Sequence, residues 1–369
     1  MKKTEKIAIL SSVVIAVVVV LFVGIPLATS KEAAARLGNA LAEAGIPADM
    51  WSVKRVYYVP IFGHLVVEKL EFGERDSAFL EAKKVTLSLD MGREDLFAGS
   101  VDARNLSFSA EDTGITVKRL SVHDFSVDKA QFEGSPIEAV KKLGSIRLSD
   151  AAFRQGQTYF SLGSLNADVG YAEGKIPLHS SVSLKELAID VRQFAPLPAL
   201  RPEYRLSQFN LKNSLSGNVN TVRLVIDGTN LFTIKADIGI SLPREFLESG
   251  EIPLFALFNS VEIGKVTSFT LAYTDKSFLD HVFELAEMPG GRESAAEQLN
   301  ETFMMFAEMG GIDGERFVNE AAKFIAKPGK LELKTNIPSP VSFEELSRNP
   351  FAMNASLSIN GGKPFAIGE

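Results

Sequence analysis

The sequence predicts an α+β fold: a single N-terminal transmembrane helix, an extended, mostly antiparallel curved β-sheet, and a three-helix insert near the C-terminus. Three observations predict it. Residues 7–27, IAILSSVVIAVVVVLFVGIPL, carry no charged side chain, and at about 1.5 Å of rise per residue such a helix covers the roughly 30 Å of bilayer hydrocarbon. From Trp51 onward, short runs rich in β-branched and aromatic residues alternate apolar with polar, the period of a strand with one wet face. Residues 275–327 return to helical spacing, broken by Pro289-Gly290-Gly291 and Gly310-Gly311 into three segments.

Taken in order, residues 1–6 are expected to form a cytoplasmic tail, because Lys2, Lys3 and Lys6 precede the apolar run and positive charge stays inside. Residues 7–27 are the expected anchor. A cleavable signal peptide is the competing reading, with Ala28-Thr29-Ser30 as the small-residue site. Residues 28–50 form a juxtamembrane helix that opens on Ser30 and stops at Gly45 and Pro47. Residues 51–200 form an N-terminal β-rich region, in which Val85-Thr86-Leu87-Ser88-Leu89 and Leu106-Ser107-Phe108-Ser109 alternate cleanly. Pro196, Pro198 and Pro202 mark a joint, since proline cannot contribute to a central ladder. Residues 201–369 form a second β-rich region, with the strongest hairpin at 221–242 and the helical insert at 275–327.

One short element recurs at irregular spacing. A polar residue is followed by an apolar, a small polar and another apolar residue at Asn105–Phe108, Arg119–Val122, Asp124–Val127, Glu186–Ile189 and Gln208–Leu211, and imperfectly at Arg147–Asp150. The irregular spacing excludes a fixed-period solenoid and points to a meandering sheet whose strands share one chemistry. Any amphipathic strand with serine on its wet face reads the same way.

The stretches Phe62–Leu70, Phe79–Leu87 and Leu96–Val101, behind a short basic tail and an apolar run, resemble the opening of AsmA-like envelope proteins of Gram-negative bacteria. The segment Lys327–Leu333, with Pro338-Ser339-Pro340-Val341 after it, is similar to bacterial envelope proteins of the YdgA-like type. The resemblance implies a protein held at the bacterial inner membrane, single-pass, with its C-terminal domain in the periplasm and a curved sheet whose apolar inside meets lipid. The well-known members are longer.

Composition narrows the chemistry. The chain has no cysteine, so disulfides, thiolate metal sites and cysteine nucleophiles are absent. His64, His123, His179 and His281 lie far apart, and none stands in a metal-binding helical spacing. No Gly-x-Ser-x-Gly elbow or phosphate-cradling loop occurs. With a net charge of −7 and basic residues spread along the chain, no nucleic-acid partner is expected. Phenylalanine, at 26 residues against 6 tyrosines and 1 tryptophan, favours dry contact surfaces.

The expected function is therefore non-enzymatic: an envelope protein that handles lipid or serves outer-membrane homeostasis, with no catalytic residue, metal or cofactor. Its partners are the membrane, phospholipid acyl chains and an envelope protein. The expected acyl-chain contacts are Val85, Leu87, Leu89, Leu106, Phe108, Leu120, Val122, Phe125 and Val127. A scaffold whose apolar face is an ordinary core stands as the alternative, and a hydrolase with dispersed catalytic residues as a third reading.

Overall fold

In the computed structural model, long antiparallel strands dominate the chain. The structure describes residues 35, 38–39, 48–59, 64–74, 78–90, 96–110, 113–128, 140–156, 158–172, 176–190, 203–243, 264–285, 291–297, 312–348 and 354–367. These separate into two compact units, Met1–Val169 and Gly170–Glu369.

The first unit is a meander. After a 3-10 turn at Ala48–Met50 come β1 (Trp51–Val59), β2 (His64–Glu74), β3 (Ala78–Asp90), β4 (Leu96–Ala110), β5 (Thr113–Asp128), the short β6 (Val140–Lys142), β7 (Ser145–Gln155) and β8 (Thr158–Ala172). Each of β1 to β5 pairs antiparallel with the next, β5 pairs with both β6 and β7, and β7 pairs with β8. Successive strands are thus neighbours in space, the usual outcome when turns are short.

The second unit continues the style with β9 (Ile176–Asp190), β10 (Glu203–Ser216), β11 (Val219–Gly228), β12 (Phe232–Ser241) and β13 (Lys265–Asp275), each antiparallel to its neighbour. Helices α1 (Phe278–Leu285) and α2 (Ile312–Ala326), with helical residues 291–297 between them, precede β14 (Lys330–Thr335). There follow β15 (Val341–Ser342), α3 (Phe343–Arg348), β16 (Ala355–Ile359) and β17 (Phe365–Ile367). β13 pairs with β14 near one end and β15 near the other, and β16 lies between β14 and β17. Phe324 of α2 packs with Leu357, Ile359 and Phe365, flanked by Tyr273, Leu279, Leu331 and Leu333. Here a helix seals the sheet as an ordinary core.

These observations correct the expected class. The fold is predominantly antiparallel β, and α+β is set aside, because strands of up to sixteen residues outweigh a few short helices. The single N-terminal transmembrane helix is not seen. Among the described residues no helix is long and apolar enough to cross a membrane, and residues 7–27 lie outside them.

Candidate functional site

The register of the first unit lines its apolar residues up across seven strands. Trp51, Phe72, Leu80, Phe108, Ile115, Phe153 and Phe160 stand directly opposite one another from β1 to β8, with β6 outside the row. Parallel to them run Val53, Leu70, Ala82, Leu106, Val117, Ala151 and Leu162. A third row is Val56, Val67, Val85, Ala103, Leu120, Leu148 and Leu165, and a fourth is Tyr58, Leu65, Leu87, Val101, Val122, Ile146 and Ala167. Directly opposed residues on antiparallel strands share a face and sit within contact distance. The four rows therefore make one continuous apolar wall.

Keeping those rows on one face requires a break in the pleat. Side chains alternate with period two, so Val67 and Leu70, three apart, would point to opposite sides of an unbroken strand. Both are buried. Between them Lys69 takes φ 54°, and the same left-handed conformation occurs at Asn105 in β4 and Asp150 in β7. These residues fall in register. Pairing is continuous on either side, Val53 with Leu70 and Arg55 with Glu68, yet the position between carries no ladder pair. The same gap recurs between Glu68–Lys84 and Leu70–Ala82, between Lys84–Arg104 and Ala82–Leu106, and onward to β8. No residue is inserted, so this is a crease in which all strands change phase together, distinct from a bulge that adds a residue to one strand.

Burial along the wall is graded. Leu65, Val67 and Leu87 are at most 1% exposed, and Val85, Val101 and Ala103 are also buried. Toward β5, β7 and β8 the same rows become half-buried, through Leu120, Leu148 and Leu165, and end at Phe160, which is 36% exposed and stacks on Phe153 at 4.9 Å. Burial is thus greatest at β2 and β3 and falls toward both β1, where Trp51, Val53 and Tyr58 are half-buried, and β8, which carries the most exposed wall residue, Phe160.

Of the expected acyl-chain contacts, Val85, Leu87 and Phe125 are buried, while Leu106, Phe108, Leu120 and Val122 are half-buried. The side chains of Leu89 and Val127 lie outside the described residues. Register brings Val85 and Leu120 into one row and Leu87 and Val122 into another, with Leu106 and Phe108 in the remaining two. Phe125 sits apart, beyond a register shift near Gly99 and next to Asp124, itself at φ 51°. The sequence reading missed Ile146, Leu148, Phe153, Phe160, Leu162 and Leu165, which form the open end. The available signal was the three-residue gap between apolar positions on every strand.

The opposite face is polar and charged. Asp102 accepts hydrogen bonds from Arg119 Nε at 2.7 Å, Ser121 Oγ at 2.8 Å and Arg104 Nε at 3.2 Å. Burial pushes its carboxyl up, but the bonds from Arg119, Ser121 and Arg104 outweigh burial and hold it below the usual carboxylate range. Tyr57 donates to Glu68 at 3.2 Å, and burial, then this bond, raise its hydroxyl pKa. In the second unit Tyr204 bonds the buried His281 Nε2, and Glu284 lies 3.6 Å from Nδ1. Among the described residues no group of three His, Cys, Asp or Glu side chains gathers to hold a metal.

A family model described as an uncharacterized protein matches residues 225–360, in the second unit. No curated protein matches the chain.

Proposed function

We propose that this is a non-catalytic protein of the bacterial envelope that holds lipid acyl chains against the apolar wall of its first unit, on the periplasmic side of the inner membrane. The observation that carries the reading is the open end of the wall. Apart from the half-buried Leu80, the wall residues on β2 and β3 are buried, whereas those on β7 and β8 are half-buried or, at Phe160, exposed, and a large contiguous apolar patch left uncovered on one molecule marks a binding surface. Acyl chains suit it, because the rows are long and apolar and, among the described residues, offer no convergent polar group to orient a compact ligand. The resemblance of residues 1–130 to AsmA-like proteins supports the envelope location. Scaffolding of a protein partner is the second reading, favoured by the second unit, whose sheet is sealed by Phe324 of α2.

Site-specific photocrosslinking tests the first reading. A benzophenone side chain at Leu148 or Leu162, which lie on the wall, is expected to yield phospholipid adducts by mass spectrometry. The same group at the neighbouring Ser149 or Ser161 is expected to yield none. Adducts at neither pair, or equally at both, would refute acyl-chain binding.

A further inference from the structure

The crease that keeps the apolar rows together has a second consequence on the other side of the sheet. Because each strand changes phase there, two consecutive residues turn outward: Lys54-Arg55, Glu68-Lys69, Lys83-Lys84, Arg104-Asn105, Lys118-Arg119 and Ser149-Asp150. Basic residues far apart in sequence are thereby assembled into one concave trough of about 980 Å³. Lys54, Lys69, Lys83, Lys84, Arg104 and Lys118 line it against three carboxylates, Glu68, Glu81 and Asp150. In a chain of net charge −7 this is a local reversal of sign.

Part of that charge is already used. Lys118 pairs with Asp150 at 3.1 Å, Lys69 with Glu71 at 3.3 Å, and Arg104 and Arg119 both serve Asp102. Lys54, Lys83 and Lys84 have no ion pair among the described residues. Lys83 and Lys84 lie on β3 and Lys54 on β1, with β2 between them. Asn105, Ser107 and Thr116 add neutral hydrogen-bonding groups beside them.

We propose that this trough docks an extended acidic polypeptide segment of a partner protein. Charge complementarity sets the sign of the occupant, and shape sets its form. The lining spans six strands, so at about 4.8 Å per strand spacing it is about 24 Å long. A bilayer is flat and meets a concave surface only at its rim, whereas a single extended chain follows it. Among the described residues no aromatic side chain lines it, so nucleic-acid bases lack a stacking platform there. This inference does not require acyl-chain binding, which uses the opposite face, although Leu106 and Val117 of the wall also border the trough.

Fluorescence polarisation with the full chain tests it. The probe is a labelled Glu/Asp-rich peptide of about ten residues, longer than the roughly seven needed to cover the trough at ~3.3 Å per residue. Binding is expected to saturate and to weaken as salt rises. The charge reversal K54E/K83E/K84E is expected to lower affinity about tenfold or more, since like charges facing an acidic ligand repel it. A control of equal charge change on exposed strand positions of the second unit, K212E/K235E/K265E, is expected to stay within about twofold. Circular dichroism reports whether each variant folds, and the milder K54Q/K83Q/K84Q, with an expected partial loss, replaces the reversal should that fail. Absence of saturable peptide binding, equal loss in the control, or binding of an oligonucleotide or of phosphatidylglycerol vesicles in place of the peptide would overturn the assignment.

Discussion

At the scale of single residues, the design turns on a few side chains held in the left-handed region. Asn105 at φ 49° and Asp150 at φ 50° are residue types that tolerate this conformation, whereas Lys69 at φ 54° is held there by the strands on either side. The Asn105 side chain is exposed, so replacing it tests the backbone without removing core contacts. Asn105→Val is expected to destabilise the first unit by about 1–2 kcal/mol, because a β-branched residue in the left-handed region crowds its own carbonyl. Asn105→Gly is expected to stay within about 0.5 kcal/mol, since glycine enters that region freely. Urea midpoints of the two variants check this. Asp102 acts on a different quantity, the pH dependence of stability. Its folded pKa lies below the unfolded value, so at intermediate pH the unfolded state binds more protons. The stabilisation is complete above the unfolded pKa of about 3.9 and is lost as pH falls through the folded value. Asp102→Asn is expected to flatten the acid limb of a stability–pH profile below about pH 4, while the wild type falls steeply there.

At the scale of elements, the contrast between the two units lies in what covers the apolar face. Helix α2 closes the sheet formed by β13, β14, β16 and β17 through Phe324, 8% exposed and in edge contact with Tyr273. Phe324→Ala is expected to cost about 3–5 kcal/mol, the usual range for emptying a buried aromatic site. Loss of near-ultraviolet dichroism from Tyr273, with the dichroism of the first unit's Trp51 retained, would localise the damage. The strands themselves were legible in the sequence, because alternation in Val85–Leu89 and Leu106–Ser109 is a local property. So was the recurring polar-apolar-polar-apolar element. Its leading residue at Asn105, Asp124 and Glu186 is left-handed, which favours a polar side chain at those three, whereas Arg119 and Gln208 begin the element without that conformation. Sequence alone did not reveal that these positions line up, since register depends on loop lengths and pairing partners remote in the chain. The same limit hid the basic trough: Lys54, Lys83 and Lys118 look scattered until β1, β3 and β5 are placed side by side. The class was misread because apolar periodicity marks where helices occur and gives no measure of how far strands outweigh them.

At the scale of the whole molecule, a crease that repeats across the first unit does two things with one change of backbone. It holds four rows of apolar side chains on one face and doubles the outward polar residues on the other, so the two candidate surfaces follow from a single geometric cause. The apolar wall then differs from a core only in its gradient of exposure, and that gradient is open to measurement. Leu87 is fully buried, so a carboxylate there loses its water. Leu87→Asp is expected to cost on the order of 4 kcal/mol or more and to leave little folded protein. Leu162, in the same wall but half-buried at β8, keeps access to water, and Leu162→Asp is expected to cost only about 1–2 kcal/mol, less than the transfer penalty of a fully buried leucine. If the open end receives acyl chains, the Leu162→Asp protein stays folded yet loses bound phospholipid, because the charge lies where the chains would pack. Chemical denaturation measured beside the lipid content of the purified protein separates the cases. Equal destabilisation by the two substitutions would mean that the wall is sealed along its whole length, and unchanged lipid content in a folded Leu162→Asp variant would move any lipid to another surface.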